Sequence, residues 1–303
     1  MSYVSKLVEL CNTLGCNYLL DEPLKYHTTF KVGGNCKIFI EVNSVDTITT
    51  LLKYFKSNGI QYAILGNGSN VIASDEGFNG AVLHFGKDFS NIELLDDTTI
   101  KSLAGTVLSK LCLLAKDNSL TGLEFAYGIP GTVGGALYMN AGAYGGEMSD
   151  VVVSAEYIDS NGDLQCISAK DMNLAYRQSI FAIHDDMIIV SVTIKCEHGD
   201  AETIKNTMDD LLSRRKSKQP LEYPSAGSTF KRPVGNYASK LIDDCGLKGL
   251  SCGDAQVSEK HCGFVVNKGN ATCNDIIELT NKVIEIVHQK TGYTLELEPK
   301  ILK

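Results

Sequence analysis

The amino-acid sequence predicts a mixed α and β fold that is divided into two or three domains. The chain has 303 residues, and single domains typically contain about 100 to 200 residues. Some segments show the apolar spacing of amphipathic helices, whereas others are short clusters of β-branched residues. We therefore expect helices and strands to bury a substantial core together.

The best-marked helix is predicted to follow Ser44 or Asp46, either of which can cap its first turn, and to end at Gly59. Apolar residues recur there at the i, i+3, i+4, i+7 spacing, at Ile48, Leu51, Leu52 and Phe55. The same spacing predicts helices over residues 107–117, 202–213 and 275–290. Apolar and β-branched clusters predict strands over residues 37–41, 62–65, 71–73, 152–158, 187–195 and 263–266.

A change of composition predicts a crossing between domains, or an active-site loop, over residues 214–235. Pro220, Pro224 and Pro233 lie there, and they are three of the six prolines of the chain. They follow a predicted helix that ends in basic residues. We place a domain boundary close to residue 200.

Charge and cysteine usage exclude several classes of function. The formal net charge is -8 and the pI is about 5.3, so no basic surface for nucleic acid is expected. The ten cysteines include no Cys-x-x-Cys pair, which argues for reduced thiols and against a metal or redox site. The first 20 residues lack the apolar core of a signal peptide, and the uncharged residues 125–146 include seven glycines, unlike a membrane span. We expect a cytoplasmic protein without membrane insertion.

The first candidate site is Gly66–Asn70, directly after a predicted strand. Closely spaced glycines let backbone amides approach an anion, and Ser69 and Asn70 can add side-chain donors, which suits a pyrophosphate. The segment is not a Rossmann fingerprint, because Val71 stands where the third glycine would be. A glycine turn in a hairpin remains the alternative.

The second candidate site is the glycine-rich segment 122–146, in which only Glu124 is charged. Its neutral backbone suits a large uncharged ring, and Asn140 and Tyr144 could add polar contacts. A structural loop that packs a helix against a sheet explains the same composition.

The third candidate site is the segment 224–233 around Ser228, whose small neighbours could expose its hydroxyl to a substrate. Nearby cations could hold a phosphate or carboxylate, namely Arg214, Arg215, Lys218, Lys231 and Arg232. A serine that only completes a turn is the alternative. The Gly-x-Ser-x-Gly match at 249–253 lacks the strand and helix that a hydrolase elbow needs.

Taken in order, seven segments resemble the UDP-N-acetylenolpyruvoylglucosamine reductase family, and the short stretch between residues 176 and 230 resembles its type II branch. These segments are Tyr26–Gly34, Leu65–Asn70, Gly128–Gly135, Met139–Gly145, Tyr176–Phe181, Ala226–Phe230 and Gly253–Ser258. The resemblance covers nearly the whole chain.

The resemblance implies an α+β protein with a vanillyl-alcohol-oxidase-like (PCMH-type) fold. It implies two FAD-binding subdomains, over residues 1–88 and 89–200, and a substrate-binding domain over residues 201–303 whose C-terminal strand returns to the active site. Non-covalent FAD would be held by Gly66, Asn67, Gly68, Ser69, Asn70, Gly128, Ile129, Pro130, Gly131, Gly134, Gly135, Asn140, Gly142 and Ala143.

The activity that the resemblance implies is the NADPH-dependent, FAD-mediated reduction of UDP-N-acetylglucosamine enolpyruvate to UDP-N-acetylmuramate, in peptidoglycan synthesis. Ser228 would donate the proton, and Arg177 and Glu298 would polarise the substrate carboxylate. Lys218, Lys231, Arg232 and His261 would bind the substrate.

Three questions remain open at this stage. Glu296 rivals Glu298, because two residues separated by one position share a face of a strand. A flavoprotein oxidase or dehydrogenase on the same fold is the alternative enzyme. A nucleotide-sugar receptor without catalytic activity is the alternative of another class.

Overall fold

A computed structural model describes residues 3–303 of the chain. Its helices are α1 (Tyr3–Leu14), α2 (Val45–Asn58), α3 (Leu108–Asp117), α4 (Val133–Tyr138), α5 (Ile180–Ile183), α6 (Ala201–Lys218), α7 (Ala238–Asp244) and α8 (Cys273–Thr291). Its strands are β1 (Asn17–Pro23), β2 (Asn35–Val42), β3 (Tyr62–Leu65), β4 (Val71–Ala73), β5 (Phe78–Phe85), β6 (Ile92–Leu94), β7 (Thr99–Leu103), β8 (Leu120–Thr121), β9 (Gly142–Ala143), β10 (Gly146–Glu147), β11 (Val152–Ile158), β12 (Leu164–Ser168), β13 (Ile188–Lys195), β14 (Glu197–His198), β15 (Ser251–Cys252), β16 (Ala255–Val257), β17 (Val265–Asn267) and β18 (Lys300–Leu302).

The four helices predicted from apolar spacing are confirmed. Helix α2 begins after Ser44, whose hydroxyl accepts from the amide of Thr47 at 3.1 Å, and it ends at Gly59 in the left-handed conformation. Helix α6 continues to Lys218 and is longer than predicted, because its last turn is polar and carries no apolar spacing. The segment predicted over residues 214–235 as a crossing between domains or an active-site loop therefore begins after the helix, at Gln219.

The predicted strands are also present, although some start one or two residues away from the predicted position: β2 begins at Asn35 and β13 at Ile188. Strand β17 begins at Val265, two residues later than predicted. The amide of Phe264 donates to the carbonyl of His261 at 3.0 Å, so residues 261–264 close a turn before the strand begins.

The chain forms two compact units, each built from separate stretches of sequence. The described residues of the first unit are 3–19, 38–67 and 80–214. The second unit consists of residues 20–37, 68–79 and 215–303. The domain boundaries predicted at residues 88 and 200 stay predictions.

The first unit contains a five-stranded antiparallel sheet in the order β12-β11-β13-β7-β6. Its central strand β13 is buried along almost its whole length, as expected for a strand covered on both faces. Helix α4 packs on this strand. In another sheet, β3 and β5 pair in parallel, and β3 ends directly before Gly66.

The second unit combines α7 and α8 with a small antiparallel sheet in the order β15-β16-β17. The core face of α8 is the predicted one, with Ile276, Leu279, Val283 and Val287 fully buried. The C-terminal strand β18 pairs in parallel with β4, so that Lys300 faces Val71. The end of the chain therefore lies beside the strand that follows Gly68–Asn70.

Asp75 joins two distant segments of the second unit. Its carboxylate accepts from the amides of Cys273 and Asn274, at 2.8 and 2.9 Å, in the first turn of α8. A carboxylate at this position satisfies amides that lack a partner inside the helix, and it is favoured by the helix dipole.

Replacing Asp75 with alanine is expected to destabilise the second unit without changing its fold. Charge-assisted hydrogen bonds of this kind contribute about 2 kcal/mol, so the melting temperature should fall by several degrees. Thermal unfolding followed by circular dichroism measures the effect. Glu76→Ala is the matched control, since that neighbouring side chain is exposed, and equal melting temperatures for the two variants would contradict the capping role.

Candidate functional site

The glycine loop after β3 contributes residues to both units. Gly66 and Asn67 belong to the first unit, and Gly68–Asn70 belong to the second. Each half of the loop has its own set of neighbours.

In the first unit, Gly66 and Asn67 contact the predicted flavin-lining segment. A Cβ atom on Gly66 would lie 2.6 Å from Oγ1 of Thr132, closer than real side chains approach. The side-chain amide of Asn67 donates to the carbonyl of Pro130 at 3.5 Å. Two segments that the sequence marks as cofactor-binding are thus in contact, and the first position requires glycine.

The second glycine segment is held against the end of the five-stranded sheet. The amide of Gly134 donates to the carbonyl of Ala104 at 2.9 Å, and a Cβ on Gly134 would lie 2.7 Å from the Ala104 Cβ. Thr132 caps α4, because its hydroxyl accepts from the amide of Gly135 at 3.3 Å. Among the predicted cofactor residues here, Gly134 is buried, Gly128, Ile129 and Gly131 are half-buried, and Pro130 and Gly135 are exposed.

Asn140 is completely buried, and its side chain bonds to the protein at both ends. Its Nδ2 group donates to the carbonyl of Ala175 at 3.0 Å, and its Oδ1 atom accepts from the amide of Ser149 at 2.9 Å. Its φ of 40° lies in the left-handed region, which asparagine tolerates better than most residues. The side chain therefore positions the segment around Ala175, while Gly142 and Ala143 of the following hairpin are half-buried.

The segment that Asn140 holds carries Arg177 on a tight turn. Ala175 and Gln178 exchange backbone hydrogen bonds on either side of it, and Arg177 has a φ of 55°. Its Nη2 atom donates to the carbonyl of Gly142 at 3.3 Å, and its guanidinium lies 5.1 Å from the ring centre of Tyr176. The predicted catalytic arginine and the predicted flavin segment are thus joined within the first unit.

In the second unit, Gly68 lies at a place where no side chain fits. Its φ is 58°, and a Cβ atom would collide with the carbonyl oxygen of His27 and lie 2.8 Å from the Cα of Thr28. The Gly68 carbonyl accepts from the amide of Thr29 at 3.2 Å. The backbone around Gly68 is therefore packed closely against the segment that follows His27.

The other half of the glycine loop is bonded to the C-terminal segment. The side-chain amide of Asn70 donates to the carbonyl of Glu298 at 3.4 Å, and the amide of Lys300 donates to the carbonyl of Asn70 at 2.9 Å. Ser69, between Gly68 and Asn70, is half-buried. Residues that the sequence assigns to the cofactor and to catalysis are therefore neighbours in this unit.

Ser228 and Glu298 lie on two segments that pair with each other. Phe230 and Leu297 form an antiparallel bridge, and the amide of Glu298 donates to the carbonyl of Thr229 at 3.0 Å. Ser228 is half-buried, and its hydroxyl bonds to no other group within residues 3–303. It is therefore available to a ligand, one position from the residue that bonds to Glu298.

The two candidate glutamates have different surroundings. The Glu296 side chain is 71% exposed, and its carboxylate pairs with Nζ of Lys231 at 3.2 Å. Glu298 is half-buried, and its backbone bonds to both Asn70 and Thr229. This difference supports Glu298 as the residue that faces a ligand, which periodicity alone could not decide.

The predicted substrate-binding residues of the second unit have different surroundings. Burial and the Lys218 ammonium lower the pKa of His261, and its Nδ1 atom accepts from the amide of Gly263 at 3.2 Å. His261 is therefore a neutral ring whose other nitrogen carries the proton. Lys218 is exposed, Lys231 pairs with Glu296 as described, and the guanidinium of Arg232 lies 4.8 Å from the ring centre of Tyr237.

The cysteines and the long helices of the described residues contribute no further functional feature. Within residues 3–303, no cysteine forms a disulfide, and no group of three metal-ligating side chains occurs. Eight of the ten thiols are buried, and burial raises the pKa of Cys36 and Cys196 to about 11. None of the helices described above is sufficiently long and apolar to cross a membrane.

Sequence reasoning missed residues that hold the candidate segments in place within each unit. Thr29 donates its hydroxyl to the carbonyl of Ser225 at 2.7 Å, and the two residues are 196 positions apart. Ser179 donates to the carbonyl of Tyr138 at 2.7 Å. The available signal was that Thr29 and Ser179 fall inside segments that carry the family resemblance, although no pattern indicated their partners.

Comparison with known proteins places most of the predicted site residues inside matched regions, whereas Arg177 and Lys218 lie between the two matches. A family model described as an FAD binding domain matches residues 36–168, which include Gly66–Asn70 and the segment 128–143. A second model, described as the C-terminal domain of UDP-N-acetylenolpyruvoylglucosamine reductase, matches residues 219–302, which include Ser228 and Glu298.

Full-length relatives and a solved structure agree with these matches. The UDP-N-acetylenolpyruvoylglucosamine reductase of Clostridium novyi is 47% identical over 279 residues, covering 92% of this chain and 90% of the relative. That of Clostridium tetani is 43% identical over 300 residues, covering 99% and 95%. The crystal structure of UDP-N-acetylenolpyruvylglucosamine reductase (MurB) from Thermus caldophilus superposes with a TM-score of 0.81 at 33% identity, covering 95% of this chain and 99% of that one.

Proposed function

This chain belongs to the UDP-N-acetylenolpyruvoylglucosamine reductase family, and from that premise we propose which of its residues bind and act. It is a flavin-dependent oxidoreductase of peptidoglycan synthesis, with FAD as cofactor and NADPH as hydride donor. The substrate is UDP-N-acetylglucosamine enolpyruvate and the product is UDP-N-acetylmuramate. The observation that carries the residue assignment is the chain of hydrogen bonds from Asn70 through Glu298 to Thr229, next to Ser228.

The glycine segments fit a dinucleotide cofactor. At Gly66, Gly68 and Gly134 a Cβ atom would collide with neighbouring atoms, so the backbone there is bare and closely packed. We assign the pyrophosphate to the loop Gly66–Asn70 and the ring system to the neutral segment 128–143. Bound FAD supplies the two-electron transfer between NADPH and the enolpyruvyl group.

The protein itself must supply a proton to the substrate. Reduction of a carbon–carbon double bond adds a hydride at one carbon and a proton at the other. Ser228 is assigned as the proton donor, because its hydroxyl bonds to no other group within residues 3–303 and its neighbour Thr229 is held on both sides. An aliphatic hydroxyl is a weak acid, so the transfer depends on the strong basicity of the carbon that becomes negatively charged.

We assign to Arg177 and Glu298 the role of polarising the substrate carboxylate. The Arg177 guanidinium donates to the carbonyl of Gly142. Arg177 itself lies on a tight turn, which restricts its backbone. A fixed cation stabilises negative charge that develops on a carboxylate without needing to reorganise. Glu298, which lies in the second unit, is the second residue to which we assign this role.

We assign the binding of the nucleotide phosphates to Lys218, with Lys231 and Arg232 as further cations. The chain carries a net charge of -8, so an anionic substrate needs local positive charge. His261 takes part as a neutral hydrogen-bond donor, since burial lowers its pKa.

Replacing Glu298 with glutamine is expected to slow substrate reduction by about 100-fold, because the half-buried carboxylate is lost from the reacting site. The matched variant Glu296→Gln breaks only an exposed ion pair, which contributes little, and it should keep nearly full activity. Steady-state kinetics of the two purified variants measure the difference. If Glu296→Gln is the slower variant, the roles of the two glutamates are reversed.

The proposed function is tested by the visible spectrum of the purified holoenzyme under anaerobic conditions. NADPH should bleach the flavin absorbance, and UDP-N-acetylglucosamine enolpyruvate should restore it in the absence of oxygen. Reoxidation by oxygen alone would indicate a flavoprotein oxidase. A protein that binds the nucleotide sugar but cannot take up FAD would indicate a receptor, and either result would overturn the proposal.

A further inference from the structure

Thr29 is bonded to both functional loops of the second unit. Its backbone amide donates to the carbonyl of Gly68 at 3.2 Å, and its hydroxyl donates to the carbonyl of Ser225 at 2.7 Å. The flanking residues are firmly packed, because Thr28 and Phe30 are buried and the Phe30 carbonyl accepts from Asn267. Thr29 is therefore a short, rigid connection between the glycine loop and the segment that leads to Ser228.

The Ser228 turn is anchored on both sides of Gly227, and the anchors on the two sides differ. Gly227 has a φ of 76°, and no atom would contact a Cβ placed on it, so packing does not hold the turn at that residue. On the far side, Thr229 is held by hydrogen bonds with Gly263 and Val265. On the near side, the Pro224 carbonyl accepts from the amide of Asn267 at 2.9 Å, and the side chain of Ala226 is buried. Between these two residues, the Thr29 hydroxyl holds the carbonyl of Ser225.

We propose that Thr29 is a positioning residue, whose hydroxyl fixes the near end of the turn and thereby places the Ser228 hydroxyl for proton transfer. The proposal rests on the proposed function of Ser228 and deepens it. Thr29 acts through the backbone at Ser225, so it touches neither the cofactor nor the substrate in this role. A displacement of about 1 Å at a reacting group can slow a reaction by about 100-fold, so the loss of one anchor has a measurable effect.

The test compares two substitutions that differ by the hydroxyl. Thr29→Val has nearly the same shape and keeps the amide bond to Gly68, but it loses the bond to Ser225. Thr29→Ser keeps both bonds. We expect Thr29→Val to retain its FAD and its rate of reduction by NADPH, and to reoxidise with substrate about 10- to 100-fold more slowly. Thr29→Ser should reoxidise at close to the wild-type rate.

A double variant shows whether Thr29 acts through Ser228. If it does, Thr29→Val combined with Ser228→Ala should be no slower than Ser228→Ala alone, because the group that Thr29 positions is already missing. Rate losses that multiply in the double variant would overturn the proposal. Equal slowing of both half-reactions, or no recovery in Thr29→Ser, would also overturn it.

Hydrogen–deuterium exchange in the substrate-free protein gives a readout that does not depend on turnover. Residues 225–230 should exchange faster in Thr29→Val than in the wild type, and at the wild-type rate in Thr29→Ser. Unchanged exchange in Thr29→Val would overturn the anchoring role. A wild-type flavin that substrate cannot reoxidise would refute the proposed function instead, and the exchange result would still decide the anchoring role.

Discussion

Replacing Ser228 with alanine is expected to leave flavin reduction by NADPH nearly unchanged and to slow flavin reoxidation by substrate by about 100- to 10,000-fold. The two half-reactions separate because only the second one needs a proton at the substrate carbon. The hydroxyl lies beside Thr229, whose carbonyl accepts from Glu298, and it bonds to no other group within the described residues. Its removal therefore leaves the surrounding hydrogen bonds in place.

Anaerobic stopped-flow spectroscopy measures the two half-reactions separately in the same sample. Ser251→Ala is the matched control, because Ser251 is an exposed serine of the same unit, on strand β15. Ser228→Cys should recover part of the rate, since a thiol is a stronger acid than a hydroxyl. Equal loss in both half-reactions of Ser228→Ala would contradict the role of proton donor.

Elements with local signals could be predicted from the sequence. Helix α2 has its cap, its apolar spacing and its terminal glycine within 16 consecutive residues, from Ser44 to Gly59. Helix α1 was not predicted, because Leu7 and Cys11 are its only buried residues in the described range and leave a weak pattern. Strand β5 was missed because Asn79 and Gly80 interrupt its apolar run.

The candidate site was predictable in its parts and not in its connections. The glycine segments and the Ser228 segment are visible in the sequence because a bare backbone requires glycines and small residues close together. The bonds from Thr29 to Ser225 and from Asp75 to α8 join residues nearly 200 positions apart, and no local pattern encodes such pairs. Glu298 is half-buried whereas Glu296 is exposed, and this difference distinguishes the two glutamates. Strand periodicity could not distinguish them, because both lie on the same face.

Replacing Gly68 with valine is expected to yield a folded protein that retains little FAD. Two effects act at this position. The left-handed backbone, with a φ of 58°, costs a residue with a Cβ atom about 1–2 kcal/mol. In addition, that Cβ would collide with the carbonyl of His27 and crowd the Cα of Thr28, so the loop must move away from this segment. A displaced loop no longer presents its amides to a pyrophosphate.

Gly246→Val separates the two effects. Gly246 has a φ of 74° in the same unit, but no atom lies within 4 Å of the position of its Cβ, so valine there adds backbone strain without a collision. We expect Gly246→Val to purify with its flavin, and Gly68→Val to purify nearly colourless and to bind added FAD weakly. Circular dichroism establishes that both variants are folded, and the absorbance ratio of flavin to protein gives the occupancy. Full occupancy in folded Gly68→Val would show that the close packing at this glycine does not serve the cofactor, and equal loss in both variants would attribute the effect to backbone strain alone.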